Sequence, residues 1–334
     1  MSPTIFITGV TGYIGGEVAV VLASKHPEYD LVFLVRNGEQ SKVVKARFPD
    51  SDTVIGDLDS HSVLVEQGKL ADVVLHHVQV GQSIIEGMSL GKKGYYVHVS
   101  GSGILHDVTN GYGNPTSKIY NDVADLDEIT SFDSSHVHAD IDGSVSAAGL
   151  KYGIQTAILS PVTIYGIGRG PAKTRSLQIP FLVEGILKRR KAFTVLEGNN
   201  IWDNIHIADL AEAYNVLVEE ALKPNGGAST WGKQGYYFVQ AAEHTWKDVT
   251  TDIAMTAYKV GALDTAEIDK LSVEDASTVH PWAPLLWGGN CRCRGTRIRA
   301  LGWRPVGPTL RECLAEMVEF EVKALGTQSS LTTF

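Results

Sequence analysis

The sequence predicts a doubly wound α/β fold, a parallel sheet covered by helices on both faces, followed by a smaller, mainly helical C-terminal lobe. Three observations predict it. Short runs of β-branched and apolar residues recur through the first 160 residues, the runs are continuous rather than alternating, and most intervals between them can hold a crossover helix. Continuous apolar strands are what a sheet buried on both faces requires, because neither face meets water. The runs are Thr4–Thr8, Leu31–Val35, Thr53–Ile55, Asp72–His76, Tyr95–Ser100 and Thr156–Ser160, each expected to be a buried strand.

After Ser160 the rhythm changes. Residues 166–200 are rich in Gly, Pro, Arg and Lys around one helical stretch, Pro180–Arg190. The segment Asn204–Leu222 reads as a strong helix, and Tyr236–Val239 as a strand after a Gly-rich turn. The remainder is expected to be mainly helical, closing with an amphipathic helix over Leu310–Leu325 and a Ser/Thr-rich end.

A chain of 334 residues with 43% hydrophobic and 20% charged residues can bury a large core. Its net charge of −9 argues against a nucleic-acid or anionic-membrane surface. No apolar run reaches the roughly 20 residues needed to cross a bilayer, and the N-terminus has no basic leader region. Three cysteines, Cys291, Cys293 and Cys313, suggest no disulfide framework, and a cytoplasmic location is expected.

The first chemical signal lies between the first strand and the first helix. Thr4–Thr8 runs into Gly9-Val10-Thr11-Gly12-Tyr13-Ile14-Gly15. Gly9 permits a sharp exit from the strand, Gly12 a close approach of backbone to a pyrophosphate, and Gly15 tight packing of helix on sheet. The exposed N–H groups and dipole of the helix start then face the phosphates. A Rossmann dinucleotide-binding domain is expected over residues 1–165 plus about 201–240. A substrate-binding lobe is expected over about 166–200 and 241–325. At the end of the second strand, where a carboxylate would bind both ribose hydroxyls of NAD, stands Arg36. A guanidinium fork suits a 2′-phosphate, so NADP(H) is the expected cofactor, with Lys42 assisting and NAD(H) the lesser alternative.

Six motifs in order resemble the extended and atypical short-chain dehydrogenase/reductase superfamily, across residues 4–320. Thr8–Gly15 matches its TGxxGxxG turn. Gly56-Asp57-Leu58 looks like its adenine-contacting element, and Asp72–His76 resembles its fourth strand along the cofactor. Pro161-Val162-Thr163-Ile164-Tyr165-Gly166 resembles RPxxVYG, with Ser160 in place of the Arg. Trp202–Ala211 resembles the segment that returns the chain to the nucleotide-binding domain, and Leu301-Gly302-Trp303-Arg304-Pro305 the element before the final helix. The resemblance is close to the sugar-nucleotide epimerase-like and NmrA-like branch, and especially to fungal-type reductase-like proteins. The resemblance implies cofactor contacts from Gly9, Thr11, Gly12, Tyr13, Ile14, Gly15, Arg36, Asp57, Leu58, His76, His77, Val78, Pro161 and Thr163.

The same resemblance implies a Tyr-x-x-x-Lys pair on the helix before Ala147–Gly149, supported by a serine after the fifth strand. The stretch Ser135–Ser144 holds neither a tyrosine nor a lysine. Two registers give His-x-x-x-Asp instead: His136 with Asp140, or His138 with Asp142, the second slightly favoured. Such a pair at i, i+4 can fix an imidazole tautomer and raise its basicity, so histidine can replace tyrosine as the proton-exchanging group. The residues equally allow a pair that only stabilises the helix. Ser100 and Ser102 follow the fifth strand and can hydrogen-bond a substrate oxygen. Tyr112, Lys118 and Tyr120 in the next loop are read as surface or packing residues. Val78 and Gln79 are bulkier than the alanines usual there.

Arg169, Arg175, Gln178 and Trp202 are the expected substrate-side residues, at the carboxyl edge of the sheet. The basic segment around Cys291 and Cys293 is expected to line the cleft or bridge to an acidic helix, and no metal site is expected. Two functions follow. One is an NADP-dependent oxidoreductase, or a related epimerase- or lyase-type enzyme, on a small carbonyl or hydroxyl compound. The other is a regulatory NADP(H) sensor without turnover. A homodimer is compatible with either.

Overall fold

A computed structural model describes residues 2–77 and 81–331. Strands and helices alternate from the start: β1 (Thr4–Thr8), α1 (Tyr13–Lys25), β2 (Asp30–Val35), α2 (Gly38–Arg47), β3 (Asp52–Ile55), α3 (His61–Leu70), β4 (Val73–His76), α4 (Gln82–Ser89) and β5 (Tyr95–Val99). A long connection carries β6 (Tyr120–Asn121) and α5 (Leu126–Ile129) before α6 (Ala139–Tyr152), β7 (Gln155–Pro161) and β8 (Thr163–Tyr165). Then come α7 (Gln178–Arg189), β9 (Ala192–Val195), β10 (Ile201–His206), α8 (Ile207–Ala221), β11 (Tyr236–Val239) and β12 (Ala242–Thr245). The chain ends with α9 (Trp246–Lys259), β13 (Ile268–Leu271), α10 (Val273–Val279), β14 (Cys293–Arg294), α11 (Thr296–Ala300) and α12 (Leu310–Leu331).

Seven strands form one parallel sheet in the order β11-β7-β5-β4-β1-β2-β3. The order reverses at β1, between β2 and β4, which opens a crevice at the carboxyl ends of those strands. Helices cover both faces, so β4, β7 and β11 are buried almost throughout. This is the Rossmann-like doubly wound fold that the apolar runs predict.

The expected helix over Asn204–Leu222 is corrected at its start. Residues 201–206 are strand β10, and the helix begins at Ile207. Pairing decides this: Asn204, Ile205 and His206 face Thr163, Ile164 and Tyr165 of β8, while β12 runs antiparallel on the other side. The His206 ring accepts from Ala208 N–H and so caps the helix that follows. Besides its helices, the C-terminal portion contributes β12, β13 and β14, which pair with β10, β9 and β6.

One buried carboxylate ties three distant segments together. Asp122, after β6, accepts from Thr296 and Arg297 N–H with Oδ1 and from Phe238 N–H with Oδ2, at 2.8, 3.3 and 3.2 Å. Burial raises its carboxyl to about 6, against the pull of those three amides. Asp122→Ala leaves the amides buried without an acceptor. It is expected to cost about 2–4 kcal/mol, read as a lower urea midpoint with an unchanged slope.

Candidate active site at the carboxyl edge of the sheet

The glycine turn closes on itself before it meets anything else. Gly9 has φ of +80°, its carbonyl accepts from Gly12 N–H at 2.8 Å, and a Cβ on Gly15 would lie 2.4 Å from the same carbonyl. Only glycine satisfies both demands, and α1 therefore packs directly on the turn. A cleft of about 650 Å³ opens from this point along the carboxyl edge.

The cleft gathers many of the predicted residues. Gly9, Thr11, Gly12, Tyr13, Ile14 and Gly15 line it from the turn, and Arg36, Asp57 and Leu58 from the ends of β2 and β3. His77 lines it past β4, and Arg175 and Gln178 from the segment entering α7. No carboxylate pairs with Arg36 among the described residues; its backbone N–H donates to Gln40 Oε1 at 2.9 Å. Lys42 pairs instead with Glu39 on exposed surface, and Lys173 reaches the cleft. Ser60 holds the Asp57 carboxyl below its usual value through a 2.8 Å hydrogen bond.

Other predicted residues lie elsewhere, each for a physical reason. Side chains alternate along a strand, so Val162 and Ile164 face the cleft while Thr163 and Tyr165 face away, with Pro161 in step with Thr163. A second cavity of about 610 Å³ lies on that other side, lined by Tyr165 and Asn204. His76 is buried beneath the edge, its Nδ1 2.9 Å from Thr8 Oγ1. Trp202 sits in the core, donating to Gly289 O at 2.8 Å. Arg169 clamps buried Glu17 of α1, with Nε 2.7 Å from Oε1. Arg292 and Arg294 reach Glu243, on strand β12 rather than on a helix. Val78 falls outside the described residues. No group of three His, Cys, Asp or Glu among the described residues can hold a metal ion.

His77 presents a defined face to the cleft. Its Nδ1 lies 3.1 Å from Thr8 O, which can only accept, so Nδ1 carries the proton and Nε2 offers a lone pair. That Nε2 is buried and has no partner. Burial lowers the imidazole to about 4, and it is neutral at pH 7.

The next strand end, beyond β5, carries the residues expected to perform acid–base chemistry. His138 caps α6 with φ of 76°, a left-handed conformation rare for a residue with a side chain and frequent at functional positions. Its Nε2 lies close to Gly101, where a Cβ would stand 2.8 Å away. Burial lowers its pKa. The expected His138–Asp142 pair does not form. Asp142 Oδ2 accepts from Ser100 Oγ at 2.8 Å and from Tyr236 OH at 3.0 Å. Burial raises the Asp142 carboxyl to about 6, and its Oδ1 has no partner.

The alternative register is excluded by packing. His136 stacks on Phe132 at 4.0 Å and its Nδ1 meets Ile104 O at 2.8 Å, while Asp140 is exposed. Ser102 is buried in the turn after Ser100, and its carbonyl accepts from Cys291 Sγ. Lys118 and Tyr120 bind Glu128 on the surface, and the Tyr112 ring lies 6.3 Å from His106.

Tyr236 is a site-adjacent residue that pattern reading missed. Its signal was present: a tyrosine in a fully buried strand needs a hydroxyl partner, and here the partner is Asp142, 94 residues away.

Comparison with known proteins agrees with this geometry. Residues 5–228 match the family described as NAD dependent epimerase/dehydratase. Oxidase ucsJ of Acremonium sp is 32% identical over 346 residues, spanning 98% of this chain and 99% of its own. Among solved structures, the PbgP3 protein from Burkholderia pseudomallei aligns with a TM-score of 0.70 at 13% identity, covering 97% and 98% of the two chains. The dTDP-glucose 4,6-dehydratase DesIV from Streptomyces venezuelae, with NAD and TYD bound, aligns at 0.67 with 18% identity over the same shares. At such identities the structural likenesses establish the fold.

The histidines give the site a pH signature. His98, paired in register with His76, is held neutral by burial first and by neighbouring imidazoles next, at about 3. An unfolded chain protonates this residue below about pH 6.5, and the folded chain does not. Its contribution to stability is therefore complete above pH 6.5 and is lost as pH falls toward 3. His98→Gln is expected to lose about 2 kcal/mol less than wild type between pH 7 and 5, measured by urea unfolding at both. Equal losses would show that His98 does not titrate this way.

Proposed function

Because the chain belongs to the NAD dependent epimerase/dehydratase family, we propose that it is an NADP(H)-dependent oxidoreductase acting on a small carbonyl or hydroxyl compound. One observation carries the reading. A single cleft joins the glycine turn to an unpaired guanidinium at one end and to the neutral imidazole of His77 at the other. The residues fit a phosphorylated dinucleotide: amide donors at the start of α1, the Arg36 fork for a 2′-phosphate, and Leu58 beside an adenine. The uncharged His77 ring borders the cleft beyond β4, and Val162 and Ile164 give an apolar wall to a flat ring.

When bound, the nicotinamide gives or takes the hydride. The chain's own residues handle the accompanying proton. Ser100 donates its hydroxyl hydrogen to Asp142, so its oxygen is free to accept from a substrate hydroxyl. His138, neutral at rest, takes the proton of the substrate hydroxyl during oxidation, and in its protonated form returns it during reduction. Arg175 and Gln178 border the substrate end. The whole-length similarity to an oxidase supports redox chemistry.

A second reading, an NADP(H) sensor without turnover, is favoured by one observation: His138 and Asp142 stand where the tyrosine and lysine are expected, and they do not pair. A panel of carbonyl and alcohol compounds separates the two. Turnover that His138→Ala reduces at least 100-fold supports the enzyme. Dinucleotide binding without turnover on any compound supports the sensor. Arg36→Ala is expected to weaken NADPH binding about tenfold, with NADH binding nearly unchanged. Equal losses for both cofactors contradict the 2′-phosphate assignment.

A further inference from the structure

Asp142 is a buried acid without a counter-cation. The groups that touch its carboxylate are the Ser100 hydroxyl, just past β5, and the Tyr236 phenol of β11. The Ser160 hydroxyl of β7 lies beside that phenol, and His138, one turn earlier on α6, is neutral. No Lys or Arg among the described residues, on α4, β7 or the turn 232–234 packed against α6, acts on the carboxyl. Burying a carboxylate in this way is costly, and an asparagine would accept the same two hydrogen bonds. Its Oδ1 is buried and has no hydrogen-bond partner, so no donor beyond the two hydroxyls offsets the charge of the ionised acid.

From β3 and β2 the cleft passes the glycine turn of β1 and reaches His77 at β4, whose neighbour in the sheet is β5. With the adenosine at Arg36 and the phosphates at α1, the nicotinamide end of an extended dinucleotide runs toward β4 and β5, the edge where Ser100 holds Asp142. The ring found there has two charge states, cationic when oxidised and neutral when reduced. We propose that the Asp142 carboxylate is the counter-charge of the oxidised ring, so that this protein binds NADP⁺ more tightly than NADPH. The proposal rests on the cofactor reading above.

The consequence for the reaction is a direction. Stabilising the bound oxidised cofactor favours loss of hydride from NADPH to a substrate carbonyl carbon, with the proton passing to the substrate oxygen from His138 in its protonated form, which returns to the neutral imidazole. Ser100 works the same way, because an oxygen that donates its hydrogen to Asp142 accepts from the product alcohol and not from the carbonyl. Asp142 and Tyr236 are positioning residues here, since neither is exposed to the substrate.

Direct binding measurements test this without a substrate. NADPH fluorescence titration and NADP⁺ competition give the ratio of the two dissociation constants from pH 5 to 8. The 2′-phosphate is common to both forms, so its own titration cancels in the ratio. In wild type the preference for NADP⁺ is expected to grow roughly tenfold as pH rises and the carboxyl ionises. Burial and the two hydroxyls put the midpoint near 6. Asp142→Asn, checked for folding by its thermal melt, is expected to give a flat profile. Tyr236→Phe removes a donor that lowers the Asp142 pKa, and is expected to move the midpoint to higher pH. A ratio that is the same in wild type and Asp142→Asn overturns the proposal alone. A midpoint unmoved in Tyr236→Phe overturns the assignment of the titration to Asp142. If neither form of the cofactor binds, the cofactor reading falls and takes this proposal with it.

Discussion

Parallel pairing of all seven strands is the constraint on which the molecule depends. Parallel strands finish on the same edge, so Gly9, Arg36, Gly56, His77 and Ser100 are delivered to one rim from positions far apart in the sequence. The reversal of strand order at β1 prevents the connecting segments from closing over that rim. Burial on both faces then fixes composition, since apolar side chains must occupy nearly every strand position between the rims. Chemistry is confined to the ends, and the core is free to be only a core.

That division explains what was legible in the sequence. The glycine turn, Arg36 and Asp57 could be placed because their geometry is set locally, by the strand that each follows. Thr163 could not, because its motif gives the segment and strand alternation gives the side, and β8 turns Val162 and Ile164 to the cleft instead. Trp202 and Arg169 were assigned to the edge by their neighbours in sequence. Their partners, Gly289 and Glu17, lie 87 and 152 residues away. The helical start at Asn204 failed for a related reason, since two strands distant in sequence claim the same backbone groups. Asp142 shows the limit most plainly: an i, i+4 rule suggested His138 as its partner, and tertiary contacts from Ser100 and Tyr236 prevailed.

The cost of the site lies in neutral imidazoles and a buried acid whose ionisation is made harder by its surroundings. His77 and His98 are driven far below their ordinary values by burial, while Asp142 is driven up. Desolvation moves bases and acids in opposite directions, and both movements remove charge. A rim built this way presents mostly uncharged donors and acceptors, against which one ionised group has a long reach because little competes with it. Backbone strain at His138 belongs to the same economy of position, a local penalty maintained by the packing of α6 around it.

The clamp between Arg169 and Glu17 has a mechanical meaning. Arg169 lies on the segment that leads from β8 to α7, and Glu17 on the helix that begins at the glycine turn. The segment that enters α7 and the helix that leaves the glycine turn are therefore stapled together by a guanidinium seated on a carboxylate that is 1% exposed. Separating the two segments there would strand a buried anion, which ties the loop after β8 to the helix that carries the glycine turn.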